Sequence, residues 1–526
     1  MHSKNRWVVL AVVCAAVYLI NLDITIVNAA LPTLVRELHA GTRDLQWIVD
    51  AYNLTFAAFV LAAGSLSDRY GRKAALVTGL AIFGTATAAG AAAGSTSGLI
   101  AARLVMGVGA AVIFPTTLSI ISNTFSDRRE RAQAIGIWGA ITGVGVATGP
   151  LAGGWLLEHF WWGSVFLYMA PVAAVAIMLT WRFVPESRDP ATPPVDRLGL
   201  VLSTAAIGTL VYTIIEAPAR SWGDPVTLAG FALAAGLLLA FIGWERRQAA
   251  PMIDVRLFRN LRFSAACGAV TVAWFCLFGF IFLITQYFQF LKGYGPLTFG
   301  AALMPVAGAI ALGAVAGVLL SVRFGNKAVV ATGLGLQGVF FLWVSTVSSA
   351  TPYWPEIVGQ MIVFGLGLGL TTAPATEAIM GVVPKDKAGV GSAVNDATRE
   401  LGGTLGVAII GSISASVYVR SLESSGALTA MPAEAAEAAR ESVGGALLAA
   451  AEVGRQTGPE VAGQLLQAAD AAFFRSLQVA CLIAGLVALA GGAFAAAVLP
   501  ARPSAAPATP LPTQDATVGD RAAHAG

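Results

Sequence analysis

The chain has 526 residues, of which 56% are hydrophobic and 12% charged, and its mean hydropathy is +0.74. A soluble chain carries about 25% charged residues, so a water-soluble globular protein is excluded. The net charge of +3 points to no particular partner, because the charges lie in short segments between apolar runs.

A membrane helix needs about 20 mostly apolar residues. Fourteen such runs occur, near 7–31, 45–66, 74–94, 98–122, 133–156, 162–183, 198–217, 226–244, 263–290, 297–321, 328–347, 353–379, 389–419 and 473–499. The first is too long for a signal-peptide core and lacks a small-residue cleavage site, so it is read as retained. It carries Asp23 among Asn21, Thr25 and Asn28, in its outer half if the N-terminus is inside. The second carries Asp50 near its outer end. Between spans 2 and 3 lies a charged turn, Gly64 to Lys73, with Asp68, Arg69, Gly71, Arg72 and Lys73.

Span 4 holds Arg103, then Gly107, Gly109 and Pro115. In span 5, Gly145, Gly149 and Gly153 recur every four residues and present one smooth face, next to Pro150 and Gly154. Proline removes a backbone hydrogen bond and is expected to bend that helix. Spans 7 and 8 are flanked by Pro185 to Pro194 and by the basic stretch Glu245 to Arg262, and read as an inserted linker pair. In span 9, Trp274, Phe278, Phe282 and Gln286 recur every four residues as a stripe that can line a cavity and stack on flat cations.

The turn returns as Arg323, Gly325 and Lys327, 254 residues after Arg69, Gly71 and Lys73, with Val322 where Asp68 stands. Anchoring by cations accounts for both copies, whereas Asp68 calls for a specific partner. Span 12 repeats the glycines of span 4 as Gly365 and Gly367, at an offset of 258, followed by Pro374 where span 4 has Pro115. Two signals in nearly one register imply a duplicated bundle, and repeat transporters place their substrate site between the halves. The expected organisation is a six-helix bundle over 1–185, a linker with two extra helices over 186–262 and a second six-helix bundle over 263–500. That second bundle includes an external loop at 420–471, and 501–526 form a disordered cytoplasmic tail.

Lys and Arg test the topology. With both termini inside, the inner segments hold 22 of the 32, the outer ones hold 8, and Arg103 and Arg399 fall within spans. Ionisable residues inside spans default to function. Besides Asp23, Asp50 and Arg103, these are Glu377 near the inner end of span 12 and Asp396, Arg399 and Glu400 in span 13. Neither Arg103 nor Arg399 is expected at the depth of Asp23, so a titrating role is expected there over a permanent ion pair. Asp50 is expected as an outer contact for cations, at a depth where charge is cheap, and Glu377 as a second contact. Arg399 is expected to pair with Asp396 at i, i+3.

Four stretches and one span carry a family resemblance. They are Leu22 to Pro32, Gly64 to Lys73, Arg103 to Ala110, Gly145 to Gly154, and the span from Gly391 to Gly411 with Asn395, Arg399, Glu400, Gly402 and Gly403. Together they resemble the major facilitator superfamily, and within it the fourteen-span drug:proton antiporters. Met106 stands where the fourth-span motif usually has Gln. The resemblance implies an all-α polytopic fold of two six-helix bundles plus two linker helices. As ionisable groups inside spans, Asp23, Glu400, Asp396 and Arg103 are expected to couple protons, and the resemblance implies a gating role for the Gly64 to Lys73 turn, with Asp68 and Arg69 holding the bundles together in the outward-open state. Gly145 to Gly154 matches an antiporter motif.

The expected activity is export of lipophilic, cationic drugs or toxic compounds in exchange for protons, across a bacterial inner membrane. The partners are small lipophilic substrates, protons and the lipid bilayer, and the chain is expected to work as a monomer. The alternatives are a dedicated exporter of one metabolite or self-made antibiotic and, more distantly, a polytopic membrane enzyme or sensor. No Gly-Lys dipeptide occurs, which excludes a Walker A loop. The four histidines lie outside the spans or at their edges, and the four cysteines lie within apolar runs without paired spacing. No cofactor, metal, enzyme activity or nucleic-acid partner is expected. Reporter fusions after residues 190, 255 and 520 should read cytoplasmic and one near 440 external; an external reading at 520 would refute fourteen spans.

Overall fold

The computed structural model describes residues 3–500 apart from 126, 189–195, 249–250, 252–254, 383–387, 430 and 457. The expected tail at 501–526 and the prolines at 193–194 lie outside the described residues. What is described is helix and connecting turn, with no strand.

The first half contains α1 (Ser3–Leu38), α2 (Thr42–Tyr70), α3 (Arg72–Ala91), α4 (Thr96–Thr124), α5 (Arg128–His159), α6 (Ser164–Leu167) and α7 (Met169–Phe183). Then come α8 (Arg197–Arg220) and α9 (Pro225–Glu245). The second half contains α10 (Leu261–Gln286), α11 (Pro296–Ala302), α12 (Met304–Phe324), α13 (Asn326–Val344), α14 (Val358–Met380) and α15 (Ala388–Ser424). It ends with α16 (Ala433–Glu441), α17 (Val443–Gln456) and α18 (Pro459–Val498). Among the described residues twelve spans are long and apolar enough to cross a bilayer. The bent helices α2 and α5 bring the number to fourteen when each is taken as one span.

The duplication shows in the pairing. In the first half α1 packs on α5, α2 on α4, and α3 on both α4 and α7. In the second, α10 packs on α15, the α11–α12 span on α14 through α12, and α13 on both α14 and α18. The contacts between halves are reciprocal too: α2 lies against α15, and α11 against α5. Both charged turns close on a glycine with positive φ, +126° at Gly71 and +83° at Gly325, where a side chain would be strained.

The linker pair α8–α9 stands at the periphery, with Leu233, Leu238 and Leu239 exposed as lipid-facing side chains are. Yet α8 spans the α2/α15 seam. Val211, Ile214 and Ile215 form a small core with Leu54 and Ala408. Arg43 pairs with Glu216 at 3.2 Å, and the Trp222 indole donates to Ser416 at 3.1 Å.

The bend in α5 has a local cause. The helix turns by 41° between Val146 and Thr148. Pro150 has no N–H to give the Val146 carbonyl, and the Thr25 hydroxyl of α1 donates to that oxygen instead, at 3.1 Å. The glycine face of α5 is turned to α1: a Cβ on Gly145 would meet Asn21, one on Gly149 would meet Thr25 and Ile26, and one on Gly153 would meet Ile26 and Ala29. Gly154 instead faces Pro296 and Leu297 of the other half. Gly149→Leu should therefore lower thermal stability in detergent, by about 1–3 kcal/mol for overpacking, whereas substitution at Gly139, whose Cβ would meet nothing within 4 Å, should not.

Candidate functional site: a buried charge cluster at the seam

Two ends of the molecule must be distinguished: the turn face, with the Gly71 and Gly325 turns, and the loop face, with α16 and α17. Side-chain hydrogen bonds join the halves toward the loop face. Thr42 donates to the Glu441 carbonyl at 2.7 Å, Gln289 to the Ala29 carbonyl at 3.2 Å, and the Leu297 N–H to Glu158 at 3.3 Å. Gln46 of α2 reaches the Val407 and Ala408 carbonyls and the Ser412 hydroxyl of α15 at 3.1–3.2 Å. The Glu441 carboxyl, against Gly41, is pushed up by burial; Asp44 and Glu437 push the same way and Arg43 opposes them.

The charged turn at the turn face docks within its own half. Asp68 pairs with Arg72 at 2.7 Å. The Arg72 N–H donates to the Ser187 carbonyl, the Lys73 N–H to Glu186, and the Lys73 ammonium to the Trp181 carbonyl. Asp68 and Arg69 thus make no described bond to the second half in this conformation. In the second turn Asn326 donates to the Pro374 carbonyl and to Glu377, at 3.3 and 3.2 Å. Glu377, expected as a substrate contact, is exposed there and holds the turn.

At mid-span the seam is charged. Arg103 of α4 is buried, at 1% side-chain exposure. Its Nη1 donates to Asp23 Oδ2 at 2.5 Å and its Nε to the Ile48 carbonyl at 2.8 Å, and its guanidinium lies 4.5 Å from the centre of the Tyr52 ring. This corrects the expectation that Asp23 lacks a cationic partner. The two residues lie 80 apart in sequence, and their shared depth follows from how α1 packs against α4. Glu400 is buried on α15, the helix that packs against α2 across the seam.

Asp50, expected near the outer end of span 2, is fully buried in protein, and neither carboxylate oxygen has a hydrogen-bond partner. Gln46, Asp50 and Asn53 recur at i, i+4 and i+7, so they share the face of α2 that Gln46 turns to α15. That polar period in an apolar span was available from sequence. Further buried atoms without partners are Asp23 Oδ1, the Tyr52 hydroxyl, Asn53 Nδ2, Trp274 Nε1 and Glu400 Oε2. Each costs free energy unless a ligand, proton or water serves it.

On the second half, Arg399 lies 3.8 Å from Asp396 and 4.1 Å from the centre of the Trp274 ring. The span 9 stripe of Trp274, Phe278, Phe282 and Gln286 is buried in protein and not lipid-facing. Its members do not line one space: Phe278 packs toward Gly403, while Gln286 borders a small polar cavity with Thr42, Ser414, Tyr418 and Ser476. Among the described residues no group of three or more His, Cys, Asp and Glu is placed to hold a metal ion.

A duplicated helical bundle with buried carboxylates at its seam is the architecture of a membrane transporter. The chain belongs to the Major Facilitator Superfamily, whose family model matches residues 13–407. It is 36% identical over 489 residues to the multidrug efflux pump LfrA of Mycolicibacterium smegmatis, covering 93% of this chain and 95% of that one. It is 35% identical to the methyl viologen resistance protein SmvA of Salmonella typhimurium (91% and 96% covered) and 32% identical to the tetracenomycin C resistance and export protein of Streptomyces glaucescens (98% and 95%). In fold it resembles the crystal structure of a bacterial homolog to the human lysosomal transporter Spinster, in an inward-facing and unoccupied conformation. The TM-score is 0.64 at 17% identity, with 94% of this chain and 98% of that one covered.

Breaking a buried pair from one side leaves an uncompensated charge, at a cost of about 3–5 kcal/mol. Asp23→Asn and Arg103→Leu should each lower the unfolding temperature in detergent, and Asp23→Asn/Arg103→Leu together should cost less than the sum. Strict additivity would show that the pair carries no coupling.

Proposed function

We propose that this chain is a proton-coupled antiporter that exports lipophilic, mainly cationic compounds by alternating access. It works as a monomer in a bacterial inner membrane with both termini cytoplasmic. The observation that carries the reading is the set of buried carboxylates on both sides of one seam, Asp23 and Asp50 on the first half and Asp396 and Glu400 on the second. An unpartnered carboxylate at that depth is relieved by a proton or by a cation. If the two compete for the same groups, loading one expels the other, which is antiport. The names of the relatives, a multidrug efflux pump and a methyl viologen resistance protein among them, favour export of toxic compounds, with cations included.

With the turn face cytoplasmic, the hydrogen bonds of Thr42, Gln46 and Gln289 between the halves sit on the external side, which supports reading the conformation as inward-facing. In that state the Gly64 to Lys73 turn has no work to do across the seam. Its contacts to the second half then belong to the outward-facing state, which closes the turn face. Gly149, Pro150 and Gly154 sit on the closed side: a Cβ on Gly154 or on Gly300 would strike the opposite backbone. The antiporter motif on this reading seals the external side, and its bend lets α5 meet α1 and α11 at once.

A dedicated exporter of one self-made compound is the second reading, favoured by the likeness to the tetracenomycin C exporter. A transport panel over unrelated cations separates the two.

Asp23 has a partner to lose, so the cleaner coupling test uses the carboxylates without one. In reconstituted vesicles with an imposed pH gradient, Glu400→Gln should fold but lose uphill transport while retaining gradient-independent exchange. Asp50→Asn should weaken cation transport by on the order of tenfold, the scale of one charged contact. Full gradient-driven transport by Glu400→Gln would take this residue out of the coupling path.

A further inference from the structure

The seam contains two arginines that stack on aromatic rings beside a carboxylate, and they are held very differently. Arg103 is clamped: 2.5 Å from Asp23, bonded through Nε to a backbone carbonyl, and buried against Tyr52. Arg399 is loose. Its nearest carboxylate oxygen, Asp396 Oδ1, is 3.8 Å away, beyond hydrogen-bond range, and the same oxygen accepts from Asn395 at 3.3 Å. Its side chain keeps 27% of its surface exposed. What holds it in place is the Trp274 face, 4.1 Å from the guanidinium. Trp274 itself is buried, tilted against Phe278 at 5.8 Å, and its indole N–H has no acceptor.

We propose that Arg399 is a displaceable resident cation: it covers the Trp274 face and shares Asp396, and an aromatic lipophilic monocation binds this subsite by taking both from it. Trp presents the strongest cation-binding face of any side chain, and here that face is filled by the protein's own charge. Glu400, the next residue on α15, has a buried carboxylate oxygen without a partner, so a displaced Arg399 has a second carboxylate to move toward. A neutral ligand gains nothing from Asp396 and competes poorly. Arg399 would thereby set a threshold that favours permanent, weakly hydrated cations over neutral lipophiles. The inference rests on the reading of the protein as a cation exporter and names a specificity-determining residue for it.

The test is equilibrium binding of tetraphenylphosphonium to the purified full-length protein, beside neutral triphenylphosphine oxide. Arg399→Ala should bind the cation about tenfold more tightly, the scale of one cation–π contact, with a smaller gain for the neutral compound. Arg399→Lys keeps the charge beside Asp396 but loses the planar stack, and should bind about threefold more tightly. Adding Trp274→Leu to Arg399→Ala should abolish the gain. Unchanged or weaker cation binding in both Arg399 variants, or a gain that survives Trp274→Leu, overturns the proposal. So does failure of both variants to fold, since Arg399 would then be clamped as Arg103 is. Proton-driven expulsion of tetraphenylphosphonium by wild-type cells is read separately. Its absence counts against the exporter reading, whereas wild-type expulsion with unchanged Arg399→Ala affinity counts against this inference alone.

Discussion

Close approach of helix backbones through glycine is the constraint on which the structure depends. In lipid there is no hydrophobic drive for two helices to associate, so small residues and tight packing must supply it. The paired helices meet in this way. A Cβ on Gly107 would strike Tyr52 and Thr55 of α2, and one on Gly149 would strike Thr25 of α1. In the second half, one on Gly369 would strike α12 and one on Gly402 would strike Thr271 of α10. The same pairings, shifted by eight spans, build both bundles.

That packing also sets the chemistry. Arg103 lies one turn from Gly107 on α4, and the close α2/α4 approach brings its guanidinium to the Ile48 carbonyl and the Tyr52 ring. On the other side, Gly402 and Gly406 press α15 onto α10 at Thr271 and Phe275, which holds Arg399 over Trp274 on the same helix pair. The threonines at these crossings donate to the facing helix, Thr25 to the Val146 carbonyl and Thr271 to the Thr398 carbonyl. Small residues let the helices touch, and the touching places the charges.

The seam itself is asymmetric in a useful way. Toward the loop face it is sealed by neutral hydrogen bonds from Thr42, Gln46 and Gln289 and by the α16–α17 segment, with α8 lying across the α2/α15 line. Neutral bonds of this kind contribute about 1 kcal/mol each, less than the roughly 3–5 kcal/mol cost of breaking a buried ion pair from one side. The clamped Asp23–Arg103 pair lies within one half and can move with it as a rigid part.

Sequence alone determined the class of fold, the number of apolar runs and the duplication, because bilayer thickness and hydropathy act locally along the chain. It also singled out most of the charged residues in the spans, since charge in lipid is conspicuous whatever its partner. Only tertiary structure decided how those charges combine. Asp23 and Arg103 are 80 residues apart, and no local pattern reports that two helices bring them to one depth. Nor does any local pattern report that Asp50 is fully buried, because burial depends on the helices packed around α2. The Trp274 stripe was legible as a stripe, but that Arg399 lies on it depends on the rotation of α15 about its own axis. Rotation and relative depth are set by side-chain and backbone packing between helices, and that information exists only once the helices have met.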